Sequence, residues 1–172
     1  MPIEQGQAAA QPQTQRRLKI GVVGIGVGAS EILPAMESTP QLELVAGADV
    51  NQRVRETFQE RYGARVYDSI EKLCQDPDVE AVWVSTPNKF HAAHTITAAQ
   101  HGKHVIVEKP MAANLEDCDK MIAACEESGV ILQIGLVLRF CPSHQLGMKL
   151  LQDGVIGKLV YVETDYSGRY NA

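Results

Sequence analysis

No apolar run in the sequence approaches the roughly 18–20 residues that a membrane-spanning helix needs, so no helical span is expected. Positive charge is not in excess either. Sixteen Lys and Arg stand against 21 Asp and Glu, a net charge of −5, which argues against nucleic acid or an anionic membrane as the main partner. The four cysteines, Cys74, Cys118, Cys125 and Cys141, form no C-x-x-C pair and no metal-type spacing. Neither a disulfide framework nor a metal centre is indicated, and a reducing cytoplasm is the expected compartment. Cys118 and Cys125 are seven residues apart, share a helix face and read as small hydrophobes. Internal repeats are absent. The one biased stretch is the start, rich in Gln, Ala and Pro with almost no large apolar residue, and residues 1–17 are expected to be a disordered tail.

What the sequence has is 172 residues that are 45% hydrophobic, enough for one domain with a sizeable core and the start of another. From Leu18 onward, short apolar β-branched runs alternate with segments of helical spacing. Strands are expected at 18–23, 42–49, 64–67, 80–86, 104–107 and 131–138. Helices are expected at 30–38, with Pro34 confined to its first turns, at 52–62, and from an Asp68 or Ser69 cap to 73. Two more follow at 91–101, ended by Gly102, and from an Asn114 cap to 127, stopped by Gly129. Strands that are apolar throughout and alternate with helices imply a parallel sheet covered on both faces, an α/β doubly wound fold of Rossmann type over residues 18–140. A further helix at 143–152 and a strand at 158–168 read as the opening of a second, incomplete domain for substrate or oligomer contacts, residues 141–172.

The first strand runs into VVGIGVGASE, in which Gly24, Gly26 and Ala29 match G-x-G-x-x-G/A, with Ile25, Val27 and Gly28 between them. The first glycine allows a tight turn and the second lets the backbone approach a pyrophosphate. The small third residue lets helix pack on strand, and the helix start offers N–H groups. About 25 residues on, the second strand ends in Asp49, where a carboxylate can accept hydrogen bonds from an adenosine ribose diol. Turn glycines with a helix-capping aspartate are the plain alternative, and S-adenosylmethionine enzymes also place an acid here. Asp49 repels a 2′-phosphate and favours NAD, while Arg53 and Arg55 keep NADP open. Arg16 and Arg17 ahead of an apolar stretch look like a twin-arginine export signal, but that stretch carries the glycine pattern instead.

The fifth strand, HVIV, delivers Glu108, Lys109 and Pro110 to its end, either as a solvated turn or as a reactive site. With STPNKFH after the fourth strand, GKHVIVEKP around the fifth, and the later RFCP and GVIGKL, the chain resembles the Gfo/Idh/MocA oxidoreductases, a likeness covering nearly everything from Leu18 onward. The resemblance implies an NAD(P)-dependent dehydrogenase of sugars, cyclic polyols, amino sugars or dihydrodiols. It also implies a second domain that covers the nicotinamide and often forms an oligomer interface. It places Glu108 and Lys109 beside the nicotinamide, with Lys109 hydrogen-bonding the reacting oxygen and passing its proton, and it implies a cis peptide bond before Pro110. Thr86, Pro87, Asn88 and His91 would line the cofactor groove, and Arg139 would approach nicotinamide or substrate, unless it is a solvated interdomain arginine. His91 and His94 have the i, i+3 spacing of a metal pair but no third ligand. The Asp and His that the family supplies from its substrate domain have no match in Glu163, Asp165 or His144. Two readings therefore stand: an oxidoreductase present as its dinucleotide domain plus the start of a substrate domain, or a dinucleotide-binding module or partner subunit without turnover.

Overall fold

A computed structural model describes residues 16–163. Six strands, β1 (Leu18–Val23), β2 (Leu42–Ala48), β3 (Arg65–Tyr67), β4 (Ala81–Val84), β5 (His104–Val107) and β6 (Leu132–Ile134), form one sheet in the order β3-β2-β1-β4-β5-β6. Every pair is parallel. Between β1 and β4 the chain reverses its direction of travel across the sheet, the place where ligands bind in open α/β sheets. Register makes that edge flush. Val23 pairs with both Ala48 and Val84, Val84 pairs with Val107, and Val107 with Ile134. Gly24, Asp49, Ser85 and Glu108 thus leave the sheet at one level.

The helices are α1 (Ile32–Glu37), α2 (Gln52–Tyr62), α3 (Ile70–Gln75), α4 (His91–Gln100) and α5 (Leu115–Glu127). Because side chains alternate across a strand, each central strand feeds two cores. Val82, Val84, Val105 and Val107 pack with Leu73, Cys74, Ala98 and Met121 of α3, α4 and α5. Ile20 and Val22 pack with Leu33, Met36 and Phe58 of α1 and α2. Caps fix where the helices begin. Asn51 accepts from the Arg53 N–H at 3.0 Å and Asn114 from the Asp117 N–H at 2.8 Å. Of the two candidate caps for α3, Ser69 takes the role, accepting from the Lys72 N–H, while Asp68 pairs with the Lys72 ammonium at 2.7 Å.

Two expected strands differ. β6 spans three residues rather than 131–138, because its ladder ends where β5 ends: the Gly135 N–H donates to Val107 O, and residues 137–140 turn into a 3₁₀ helix. The strand expected at 158–168 is absent from 158–163, where the residues are exposed and no neighbouring strand offers a ladder among the described residues; 164–168 lie outside them. The expected tail, 1–17, is described only at Arg16 and Arg17, and the Arg17 Nε donates to Leu42 O at 2.9 Å.

Contacts divide the chain after Gly135, five residues before the boundary expected from sequence. The second unit holds the 3₁₀ turn (Val137–Phe140) and α6 (Pro142–Gln152).

Candidate dinucleotide site

The turn out of β1 depends on glycine at two positions. Gly24 has φ +84°, and a Cβ there would lie 2.8 Å from Thr86 N. A Cβ on Gly28 would lie 2.4 Å from Ser85 O. The glycine loop is therefore pressed against the loop leaving β4. Ser85 reinforces the contact, its hydroxyl donating to Gly24 O at 2.8 Å. Sequence reasoning gave Gly28 no packing role and passed over Ser85, a small polar residue whose partner is far along the chain.

Gly26 differs. A Cβ there would meet only the Asp49 carboxylate, at 3.9 Å from Oδ2. The space over Gly26 is open on the side facing that acid. The N–H groups of Ile25, Gly26, Val27 and Gly28 have no backbone acceptor among the described residues. Buried Ala29 anchors the turn in the α1/α2 core. Asp49 itself is held: the Asn51 N–H donates to Oδ1 at 2.9 Å, and the Arg55 guanidinium donates to its main-chain oxygen at 2.7 Å. Arg55 is thus committed to the backbone, while Arg53 is exposed.

Gly24, Asp49, Thr86, Pro87, Phe90 and His94 wall a cavity of about 430 Å³ at the carboxyl edge. Phe90 and His94 stack at 5.7 Å with 15° between their planes, and the Thr86 hydroxyl hydrogen-bonds His94 Nδ1 at 3.1 Å. Burial holds the His94 imidazole below its usual range. Neither Phe90 nor His94 was singled out for this wall from sequence, since their pairing depends on the turn at Asn88–Phe90. Asn88 is exposed beside it.

His91 is 1% exposed, so its ring does not line the groove as expected from sequence. Its Nε2 reaches Thr86 O at 2.8 Å and its Nδ1 reaches Pro110 O at 2.9 Å. Both ring nitrogens are occupied, which also removes it from any metal pair with His94.

Beyond β5, the Trp83 indole N–H donates to Glu108 Oε1 at 3.3 Å, and a Cβ on Gly135 would come within 3.3 Å of that oxygen. Lys109 projects from the same edge, exposed and with no ion pair or hydrogen bond among the described residues. The bond between Lys109 and Pro110 is cis. Arg139 belongs to the second unit, where it lines a cavity with His144 and Met148.

These features fit a dinucleotide: a turn that excludes side chains at Gly24 and Gly28, free N–H groups over an opening at Gly26, and a fixed carboxylate facing it. Residues 18–136 match the Gfo/Idh/MocA profile, described as an oxidoreductase family with an NAD-binding Rossmann fold. The chain belongs to that family. It is 36% identical over 148 residues to 1-carboxy-3-chloro-3,4-dihydroxycyclohexa-1,5-diene dehydrogenase of Comamonas testosteroni, covering 86% of this chain and 37% of the relative. It is 37% identical over 147 residues to 2,7-anhydro-N-acetylneuraminate hydratase of Mediterraneibacter gnavus, covering 86% and 39%. Among solved structures, the WlbA dehydrogenase of Bordetella pertussis in complex with NADH and UDP-GlcNAcA superposes with a TM-score of 0.80 at 32% identity, over 86% of this chain and 43% of that one. The KijD10 3-ketoreductase of Actinomadura kijaniata, with NADP and TDP-benzene, gives 0.76 at 31%, over 83% and 46%. The chain spans about two fifths of the length of the curated relatives it matches. No helix among the described residues is long and apolar enough to cross a membrane.

Proposed function

We propose that the chain is the dinucleotide-binding part of an NAD(P)-dependent oxidoreductase that moves hydride at a hydroxyl or keto carbon of a sugar, cyclic polyol or dihydrodiol-like substrate. The observation that carries this reading is the flush carboxyl edge. There the glycine loop, Asp49 and Lys109 follow β1, β2 and β5 of one parallel sheet. The relatives' names supply the substrate class, a chlorinated dihydrodiol acid in one and an anhydrosugar in another.

In this reading the N–H groups of Ile25 to Gly28 receive the pyrophosphate and Asp49 receives the ribose hydroxyls. Thr86, Pro87 and Asn88 form the facing wall, with the Phe90–His94 stack as the apolar floor for adenine. A bound nicotinamide supplies the hydride acceptor or donor. The Lys109 Nζ hydrogen-bonds the reacting oxygen, offsets the charge that develops on it and carries its proton. Glu108, tied to Trp83, orients the strand end from which Lys109 projects. Homo-oligomer formation and a reducing, cytoplasmic setting complete the proposal; the four cysteines are all free. Titration of NADH and NADPH by fluorescence tests it. Saturable binding that is tighter for NADH is expected, and no binding of either would remove the reading.

A further inference from the structure

The loop that carries Lys109 is poorly tied to the sheet. The last ladder bond runs from the Glu108 N–H to Val84 O at 2.9 Å, and the next backbone bond downstream is Cys118 N–H to Asn114 O. Residues 109–113 make no backbone–backbone hydrogen bond among the described residues. Met111 and Ala112 pack partly against the core, which holds the loop down without fixing its direction. Among the described residues, the one hydrogen bond that reaches it comes from His91, through Nδ1 to Pro110 O. The opposite nitrogen of the same ring holds Thr86 O, on the loop leaving β4. Carbonyl oxygens only accept, so each contact is a hydrogen bond in the tautomer that carries the proton on that ring nitrogen. At 1% exposure, water does not compete for them.

We propose that His91 is a positioning residue: it clips the lysine-bearing loop after β5 to the cofactor-facing loop after β4 and so sets Lys109 against Thr86. It touches neither cofactor nor substrate. The consequence for binding rests on the cofactor reading above. The clip itself does not. A ring buried between two loops and bonded to both is placed to transmit the position of one to the other, and a small misplacement of a reacting group is costly.

The test uses the full 172-residue chain and its variants His91→Phe, His91→Asn and His91→Gln. Phe keeps the volume and has no donor, Asn places an amide N–H near the position of Nδ1, and Gln places one near Nε2. Backbone 15N order parameters at 109 and 111–113 are expected to fall from the rigid value of about 0.85 to below about 0.6 in His91→Phe, to return toward the parent values in His91→Asn, and to stay low in His91→Gln. NADH binding is expected to weaken about tenfold in His91→Phe, the scale of one buried hydrogen bond. Unchanged order parameters at 109 and 111–113, a fall spread evenly over the sheet, or an Asn variant that behaves like Phe would overturn the clip. If His91→Phe fails to fold, the Asn and Gln pair still separates the two carbonyl contacts. A parent that binds no NADH would count against the cofactor reading alone, since the order parameters decide the clip without ligand.

Discussion

Asp49 and Cys141 show how single side chains acquire character from the backbone around them. Asp49 presents one carboxylate oxygen to the Asn51 N–H and leaves the other facing the opening over Gly26. Asp49→Ala is expected to weaken NADH binding roughly tenfold to a hundredfold, the worth of one or two hydrogen bonds to a charged group, and to narrow the preference over NADPH. Parallel titrations of both cofactors measure it; an unchanged preference would remove Asp49 from the ribose. Cys141 precedes α6, and its thiol is lowered to about 7 by the Ser143 hydroxyl, then by the N–H groups of Ser143 and His144. Burial pushes the Cys74 thiol up to about 12. Iodoacetamide at pH 7 is therefore expected to label Cys141 first and Cys74 only after unfolding. Ser143→Ala should move the midpoint of Cys141 labelling to higher pH, as read by mass spectrometry of quenched digests.

At the scale of the element, the glycine loop separates tolerance of folding from tolerance of ligand. Gly28→Ala sets a methyl 2.4 Å from Ser85 O and is expected to cost about 1–3 kcal/mol of stability in a urea melt. The Cβ of Gly26→Val meets nothing closer than 3.9 Å, so a melt near that of the parent together with loss of NADH binding is expected. Normal NADH binding by Gly26→Val would show that the loop is not the phosphate cradle. This division was half legible in the sequence. Spacing and strand–turn–helix order located the loop and Asp49, because those signals are local. The pressing of Gly28 on Ser85 was not, because the two are joined only once β1 and β4 pair. The same limit separates the elements that were read well from those that were not. α2 and α5 carry caps within their own turns at Asn51 and Asn114, and their boundaries could be placed. β6 has no such local stop, since its length is set by where β5 ends. His91 looked like a groove residue for a related reason: its motif gives its neighbours in sequence, not that its ring lies beneath Thr86 and Pro110.

Over the whole sheet, the amino edge is held by charge while the carboxyl edge is left open. Asp76 accepts from Arg65 Nε at 2.7 Å, from the Tyr67 hydroxyl at 2.9 Å and from the Asp78 N–H at 2.9 Å. Burial raises its pKa, but these donors outweigh that and hold the carboxyl below its usual range. A carboxylate lowered in the folded state contributes stability that is fully present above the unfolded value of about 4 and lost as pH falls through the folded one. Urea midpoints are expected to fall below about pH 4–5, and Asp76→Asn should flatten that fall while lowering the midpoint at pH 7. A pH dependence identical to the parent's would remove Asp76 from the acid response.

The clasp of Ser85 on Gly24 joins residues 61 positions apart. A ribosome adding about 5–20 residues per second leaves the newly made glycine loop without that clasp for roughly 3–12 seconds. During that interval β1 has β2 as a partner but not yet β4, so the nascent chain carries an unfinished sheet edge beside the glycine loop. Arrested chains ending before Ala81 should accordingly be cut by protease within Gly24–Ser30, and chains that have released β4 should resist there. The order of synthesis thus makes the turn after β1, among the first parts of the sheet to be made, wait for β4 before it becomes rigid.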